Sequence, residues 1–321
     1  MRKNNILVRL SLVFASVLLV ACSSQSVKKT LKPSISSESI AEYINYLASD
    51  ELEGRNTGSE GIDKAADFIQ NTFENAEIPP FFETYRDSFQ VGEVTGFNIL
   101  GVIEGSDPAL KKEYVLVGAH YDHIGKASPV EGDSIANGAN DNASGTVGVL
   151  KLAEAFAENR QNKRSLIFAL FSGEELGLRG SVSLAQHLKE QGLDLYTMVN
   201  LEMIGVPMKA KTYEAYLTGY KESNMAQKMN KYAGMELVGF LPQAGQLNLF
   251  RRSDNYPFYQ QFRIPAQTVS TFDFSNYDFY HHVDDEAPLM NTDHMANLLQ
   301  DLYPAILEMT RTSEREIKMN E

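Results

Sequence analysis

Five apolar runs of strand length, with helical patterns between them, constrain this chain more than any other feature. They read FNILGVIEG (97–105), EYVLVGAH (113–120), SLIFALF (165–171), YTMVNLEMI (196–204) and IPAQTVST (264–271). Their near-continuous apolar character, with little alternation, is the pattern of strands covered on both faces. Residues 141–158 put Val149, Leu152, Ala153 and Phe156 on one helical face, and SVSLAQHLKEQG (181–192) reads as another helix. Ile40, Tyr43, Ile44 and Leu47 predict a first helix. Ile62, Ala65, Ala66 and Ile69 predict a second, which Pro79 and Pro80 stop, and a long C-terminal helix is expected from about Pro288. The fold class is α/β: one globular domain with a mixed, mostly parallel central sheet covered by helices on both faces.

The start of the chain reads differently. Arg2, Lys3 and Arg9 flank LSLVFASVLLVA (10–21), an apolar run of 12 residues. A bilayer span needs about 20, so residues 1–21 are expected to be a signal peptide. Cys22, the only cysteine, follows directly, and LVAC (19–22) resembles a bacterial lipobox. That resemblance implies lipid on Cys22 and an exported protein anchored to the cell envelope, on its periplasmic or outer-membrane side. Residues 22–37, rich in Ser and Lys, read as a tether, and 38–321 as the globular domain. Loss of residues 1–21 removes three basic residues and no acid, taking the formal charge from −13 to −16. Such a balance argues against nucleic acid and against electrostatic docking on anionic lipid.

Ligands of open α/β sheets collect beyond the carboxyl ends of the strands. Here those ends carry His120 and Asp122, then Glu174 and Glu175, then Glu202, with Asp141 at a helix start and Tyr280, His281 and His282 in a later loop. Buried carboxylates need a partner, a metal or a raised pKa. Imidazole and carboxylate without thiolate suit Zn²⁺, and also Mn²⁺ or Co²⁺. Asp141, one glutamate of the pair, Glu202 and a hydroxide sum to four negative charges, which two divalent cations cancel. The second glutamate is then placed to act as general base. His187 and His294 fall on helical patterns and are expected to pack or face solvent, while His123 and His282 adjoin the candidate donors.

Five segments in order, GAHYDHIG, NGANDNASG, FSGEELGLRGS, NLEMIG and YHHVDD, resemble the dinuclear zinc aminopeptidases over roughly residues 38–310. That family's relatives include glutamate carboxypeptidase, the transferrin receptor and the glutaminyl cyclases. The resemblance implies two zinc ions and a metal-dependent exopeptidase that removes N-terminal residues from peptides. His120 and Glu202 would bind the first metal, Glu175 and His281 the second, and Asp141 both. Glu174 would be the general base, and Asp122 would orient His120. A carboxypeptidase or dipeptidase of the same fold, a single-zinc glutaminyl cyclase-like acyltransferase and a non-catalytic receptor-like domain are the alternatives. Two departures from the family stand out. Glu202 replaces a frequent Asp, and Asn255 a frequent His that is not among the assigned ligands, so Asn255 is expected to tune packing or substrate contacts.

Overall fold

The computed structural model describes residues 33–209 and 211–320. The expected signal peptide, Cys22 and most of the tether lie outside them. Two helices come first, α1 (Ser37–Leu47) and α2 (Glu60–Asn75). A hairpin of β1 (Arg86–Val91) and β2 (Val94–Ile103) leads to β3 (Glu113–His120), a small hairpin β4 (Lys126–Val130) and β5 (Asp133–Ile135), and α3 (Gly145–Asn159). Next come β6 (Ser165–Phe171), α4 (Arg179–Glu190), β7 (Asp194–Glu202), β8 (Ala215–Leu217), α5 (Met225–Ala233) and β9 (Val238–Gly239). The described chain ends with α6 (Pro242–Gln246), α7 (Asn255–Phe262), β10 (Ala266–Ser270) and α8 (Thr292–Arg311).

Eight strands form one sheet in the order β1-β2-β6-β3-β7-β10-β8-β9. Its centre, β6-β3-β7-β10, is parallel. β2 and β1 add antiparallel strands at one edge, and β8 runs antiparallel to β10 at the other. Alternate side chains of a strand face opposite sides, and the core follows that rule. Val115, Val117 and Ala119 of β3 pack in the larger cluster with side chains of α1, α2, α3, α5 and α8. Leu116 joins Ile167, Ala169 and Phe171 against Leu184 and Leu188 of α4 and Phe258 of α7. Both faces are therefore covered. No helix among the described residues is long and apolar enough to cross a membrane.

Two expected boundaries shift. The predicted helix over 141–158 starts only at Gly145, after an irregular turn over Ala139–Ser144 that contains a cis Asp141–Asn142 peptide. The cause is a side chain that substitutes for helix backbone bonds. Asn142 Oδ1 accepts from the backbone N of Gly145 and of Met203, each at 3.0 Å, and its Nδ2 donates to Leu201 O at 3.0 Å. At the N-terminal side, Ile35 is buried in the core, its carbonyl accepts from Gln300 at 3.0 Å, and Ser36 caps α1. The packed domain thus begins inside the stretch read as tether.

Gly180 sets how closely α4 approaches the end of β6. Its N donates to Ser172 O at 3.0 Å, and a Cβ there would lie 2.2 Å from that oxygen and 2.3 Å from Asn98 Oδ1. Gly180→Ala is predicted to cost about 1–3 kcal/mol through overpacking. Gly245→Ala in α6, where a Cβ meets nothing within 4 Å, should be neutral or gain up to about 1 kcal/mol. Urea unfolding midpoints measure both; an unchanged midpoint for Gly180→Ala would refute the close approach.

Candidate metal centre

The four parallel strands end at one edge of the sheet, and their last residues or following loops converge there. His120 is the last residue of β3 and Glu202 of β7, Glu174 and Glu175 follow β6, and His281 lies in the loop after β10. Asp141 enters from the turn before α3. Its two oxygens face different partners. Oδ1 lies 3.4 Å from His120 Nε2, which is itself 3.0 Å from Glu202 Oε1. Oδ2 lies 3.2 Å from His281 Nε2, which is equally 3.2 Å from Glu175 Oε1. His123 completes the second group, with Nδ1 3.0 Å from Glu175 Oε1 and 3.9 Å from Asp141 Oδ2. Two donor clusters result, His120–Asp141–Glu202 and His123–Asp141–Glu175–His281.

The adjacent glutamates diverge because the chain turns sharply between β6 and α4. Gly173 and Gly177 take left-handed φ of +69° and +91°, a region that favours glycine. The Glu174 carbonyl closes the turn by accepting from the N of Gly177 and Leu178 at 2.8 and 2.9 Å. Glu175 then joins the second cluster, while Glu174 belongs to neither and lines a cavity with Asp141 and Glu202.

Surrounding groups fix these side chains. The carbonyl of Asp122, rather than its carboxylate, lies within hydrogen-bond reach of His120 Nδ1, at 3.0 Å against 3.7 Å for Oδ1. The carboxylate accepts instead from Glu174 N at 3.2 Å and from Thr57 Oγ1 at 3.1 Å, and so supports the glutamate turn as well. Ser253 donates to Glu202 Oε2 at 2.6 Å. Asp285 accepts from the N of Asn140 and Asp141, at 2.8 and 3.0 Å, and from Tyr277 Oη at 2.6 Å. Arg55, fully buried, donates to the carbonyls of Leu47, Tyr121, Asn137 and Gly138.

Electrostatics follow from this crowding. Burial pushes the Glu174 carboxyl well up, against the pull of His120, and Asp254, Glu202 and Glu175 add to the rise. Burial alone would also raise Glu175, but the His123 hydrogen bond and the His281 imidazole 3.2 Å away hold it well below the usual carboxylate range. Against the lowering effect of burial, the Asp141 and Glu175 carboxylates push His281 up to about 10. Burial pushes Asp254 up to about 7. A centre with this many acids calls for cations, and the donors fit them. His281 Nε2 makes no well-aligned hydrogen bond although two carboxylate oxygens lie 3.2 Å away, and the buried His123 Nε2 has no partner. Imidazole nitrogens and carboxylate oxygens gathered around common points, without thiolate, are the donor chemistry of zinc.

All seven residues singled out from sequence lie at this centre. His282 turns away, its Nδ1 accepting from Asp284 N at 3.1 Å, and His187 pairs with Asp87 on the far side of α4. Asn255 packs α7 on β10, bonding the carbonyls of Phe250 and Ala266 and the Thr268 hydroxyl. The sequence places His123 only beside the donors, as a residue that could support them, and does not single out Arg55, Ser253, Asp254 or Asp285 as site residues. HYDH (120–123) and the last Asp of YHHVDD were the available signals.

The family pattern of peptidase family M28 matches residues 98–303, more than half of the chain, and spans every residue of both donor clusters. The chain belongs to peptidase family M28. It is 31% identical over 210 residues to a probable leucine aminopeptidase of Arthroderma otae, a match covering 62% of this chain and 53% of that protein. It is 38% identical over 107 residues to a probable zinc metalloprotease of Pyrenophora tritici-repentis, covering 33% and 24%. The matched stretch thus spans about half or less of these curated relatives. Among solved structures, the LapA aminopeptidase of Legionella pneumophila shares the fold with a TM-score of 0.67 at 22% identity, over 87% of this chain and 73% of that one.

Asp285→Asn tests the support of Asp141 in this M28 domain. One acceptor oxygen would become a donor facing a backbone N–H, at an expected cost of about 1–3 kcal/mol. A lower melting temperature together with weaker zinc retention in dialysis is expected. Unchanged values for both would show that Asp285 does not hold the turn.

Proposed function

We propose that this M28 chain is a two-metal aminopeptidase. One cation would be held by His120, Asp141 and Glu202, the other by Asp141, Glu175 and His281, with His123 ordering Glu175. The orientation of Asp141, one oxygen toward each cluster, carries the reading. The relatives named for zinc proteolysis and leucine aminopeptidase activity support the chemistry and substrate class. Zinc bound by such donors acts as a Lewis acid toward a peptide carbonyl and lowers the pKa of water.

Glu174 is the general base. It lines the cavity shared with Asp141 and Glu202 while remaining outside both donor sets. It accepts the proton of the attacking water and passes it to the departing amine. The Asp122 carboxylate fixes Glu174 through its backbone N–H, so Asp122 acts on both the base and His120. The surplus of acids around the cavity suits a substrate whose free α-amine is protonated on arrival. The N-terminal sequence supports export and anchoring through Cys22; Cys22→Ser should then move the protein from the membrane to the soluble fraction, and an unchanged distribution would count against the anchor.

Glu174→Gln should retain a full complement of zinc and lose about 100- to 10,000-fold in kcat, read with leucine p-nitroanilide and elemental analysis. His120→Ala and Asp141→Asn should instead lose metal. Chelation should abolish turnover and added zinc restore it, while an N-acetylated substrate stays intact. Near-normal turnover by Glu174→Gln would remove Glu174 from the base role.

A further inference from the structure

Basic side chains in and around this fold mostly have partners. Arg164 and Arg315 meet Glu113, Arg86 meets Asp67, Lys228 meets Glu316, and Arg55 is saturated with carbonyls. Arg252 differs. It is exposed, and its guanidinium has no hydrogen-bond, ion-pair or ring partner among the described residues. Among the described residues it is also the only basic side chain lining the cavity that holds Asp141, Glu174 and Glu202. Its backbone is fixed there: its N donates to Leu249 O at 3.0 Å, and the next residue, Ser253, bonds Glu202. The Glu202 oxygens face His120 and Ser253 instead. The cavity also has an apolar wall of Leu249, Phe272, Phe274 and Tyr280.

We propose that Arg252 binds a carboxylate of the substrate, while the apolar wall takes an uncharged side chain. This deepens the aminopeptidase reading and rests on it. A guanidinium offers a planar fork of N–H donors that a carboxylate can accept bidentately. In a chain of net charge −13, an unpaired arginine beside the reacting groups gives the peptide's acid a partner in otherwise repulsive surroundings. That carboxylate has two possible sources, the side chain of an N-terminal Asp or Glu and the free α-carboxylate of a short peptide.

The test compares zinc-loaded wild type and Arg252→Met on Leu-Gly, Leu-Gly amide, glutamyl p-nitroanilide and leucyl p-nitroanilide. In Arg252→Met the kcat/KM ratio of carboxylate-bearing to neutral substrate should fall about 10-fold or more, mainly through KM, as expected for loss of a charged hydrogen bond. Arg252→Lys should restore part of it. A fall confined to Leu-Gly against its amide identifies the α-carboxylate, and one confined to the glutamyl substrate identifies the side chain. Unchanged ratios for both pairs overturn the proposal. Equilibrium binding of Leu-Gly and its amide to zinc-loaded Glu174→Gln, with and without Arg252→Met, reads the same preference without turnover. Preference for the acid that vanishes with Arg252 supports the site even if wild type cleaves nothing, in which case the peptidase reading alone fails. Equal binding of acid and amide, together with unchanged ratios, leaves Arg252 an ordinary surface residue.

Discussion

The position of one carboxylate, Asp141, governs the rest of the site. It stands between two groups of donors and must present a different oxygen to each. The chain is not helical here: Asp141 sits in the irregular turn before α3. Asn142 stitches the turn to the end of β7, and Asp285 takes the two successive backbone N–H groups of Asn140 and Asp141. Arg55 gathers the carbonyls of Asn137 and Gly138 with that of Tyr121, so the approach to Asp141 is tied to the end of β3. This arginine is buried without a carboxylate partner. Burial lowers its pKa to about 10, against the pull of Asp285, Asp122, Asp141 and Glu175, and it still carries its charge at neutral pH. Part of the acid load is thus balanced from inside the protein.

The adjacent glutamates show how sequence neighbours acquire different chemistry. A strand would send Glu174 and Glu175 to opposite faces, and a helix would splay them by about 100° around its axis. The turn opened at Gly173 does neither, leaving Glu175 between the His123 and His281 imidazoles and Glu174 against the cavity. The contrast between a strongly depressed and a strongly raised carboxyl pKa, one residue apart, is the electrostatic expression of that geometry.

Much of this was legible in the sequence because it depended on local pattern. Doubly buried strands give continuous apolar runs, so β3 and β6 appear in the sequence with the ends found in the structure. Donors at strand ends follow from the topology of parallel sheets. The true start of α3 was not legible, because it is decided by Asn142 bonding a strand some sixty residues away. Arg55, Asp285 and Ser253 escaped for the same reason, since their partners are backbone groups or side chains remote in sequence. His123 was legible only as a neighbour of the donors, because HYDH offers two histidines after one strand and only the structure shows that both face carboxylates. Between Gly205 and Arg263 the strands are two or three residues long, too short to leave a periodic signal.

Whether Asp141 serves two cations at once is decided most directly by anomalous diffraction at the zinc absorption edge from zinc-loaded crystals. Two peaks are expected, one on the His120–Glu202 side of Asp141 and one on the Glu175–His281 side. A single peak under zinc saturation, on either side, would contradict the shared-carboxylate centre and with it the proposed division of roles between Glu174 and Glu175.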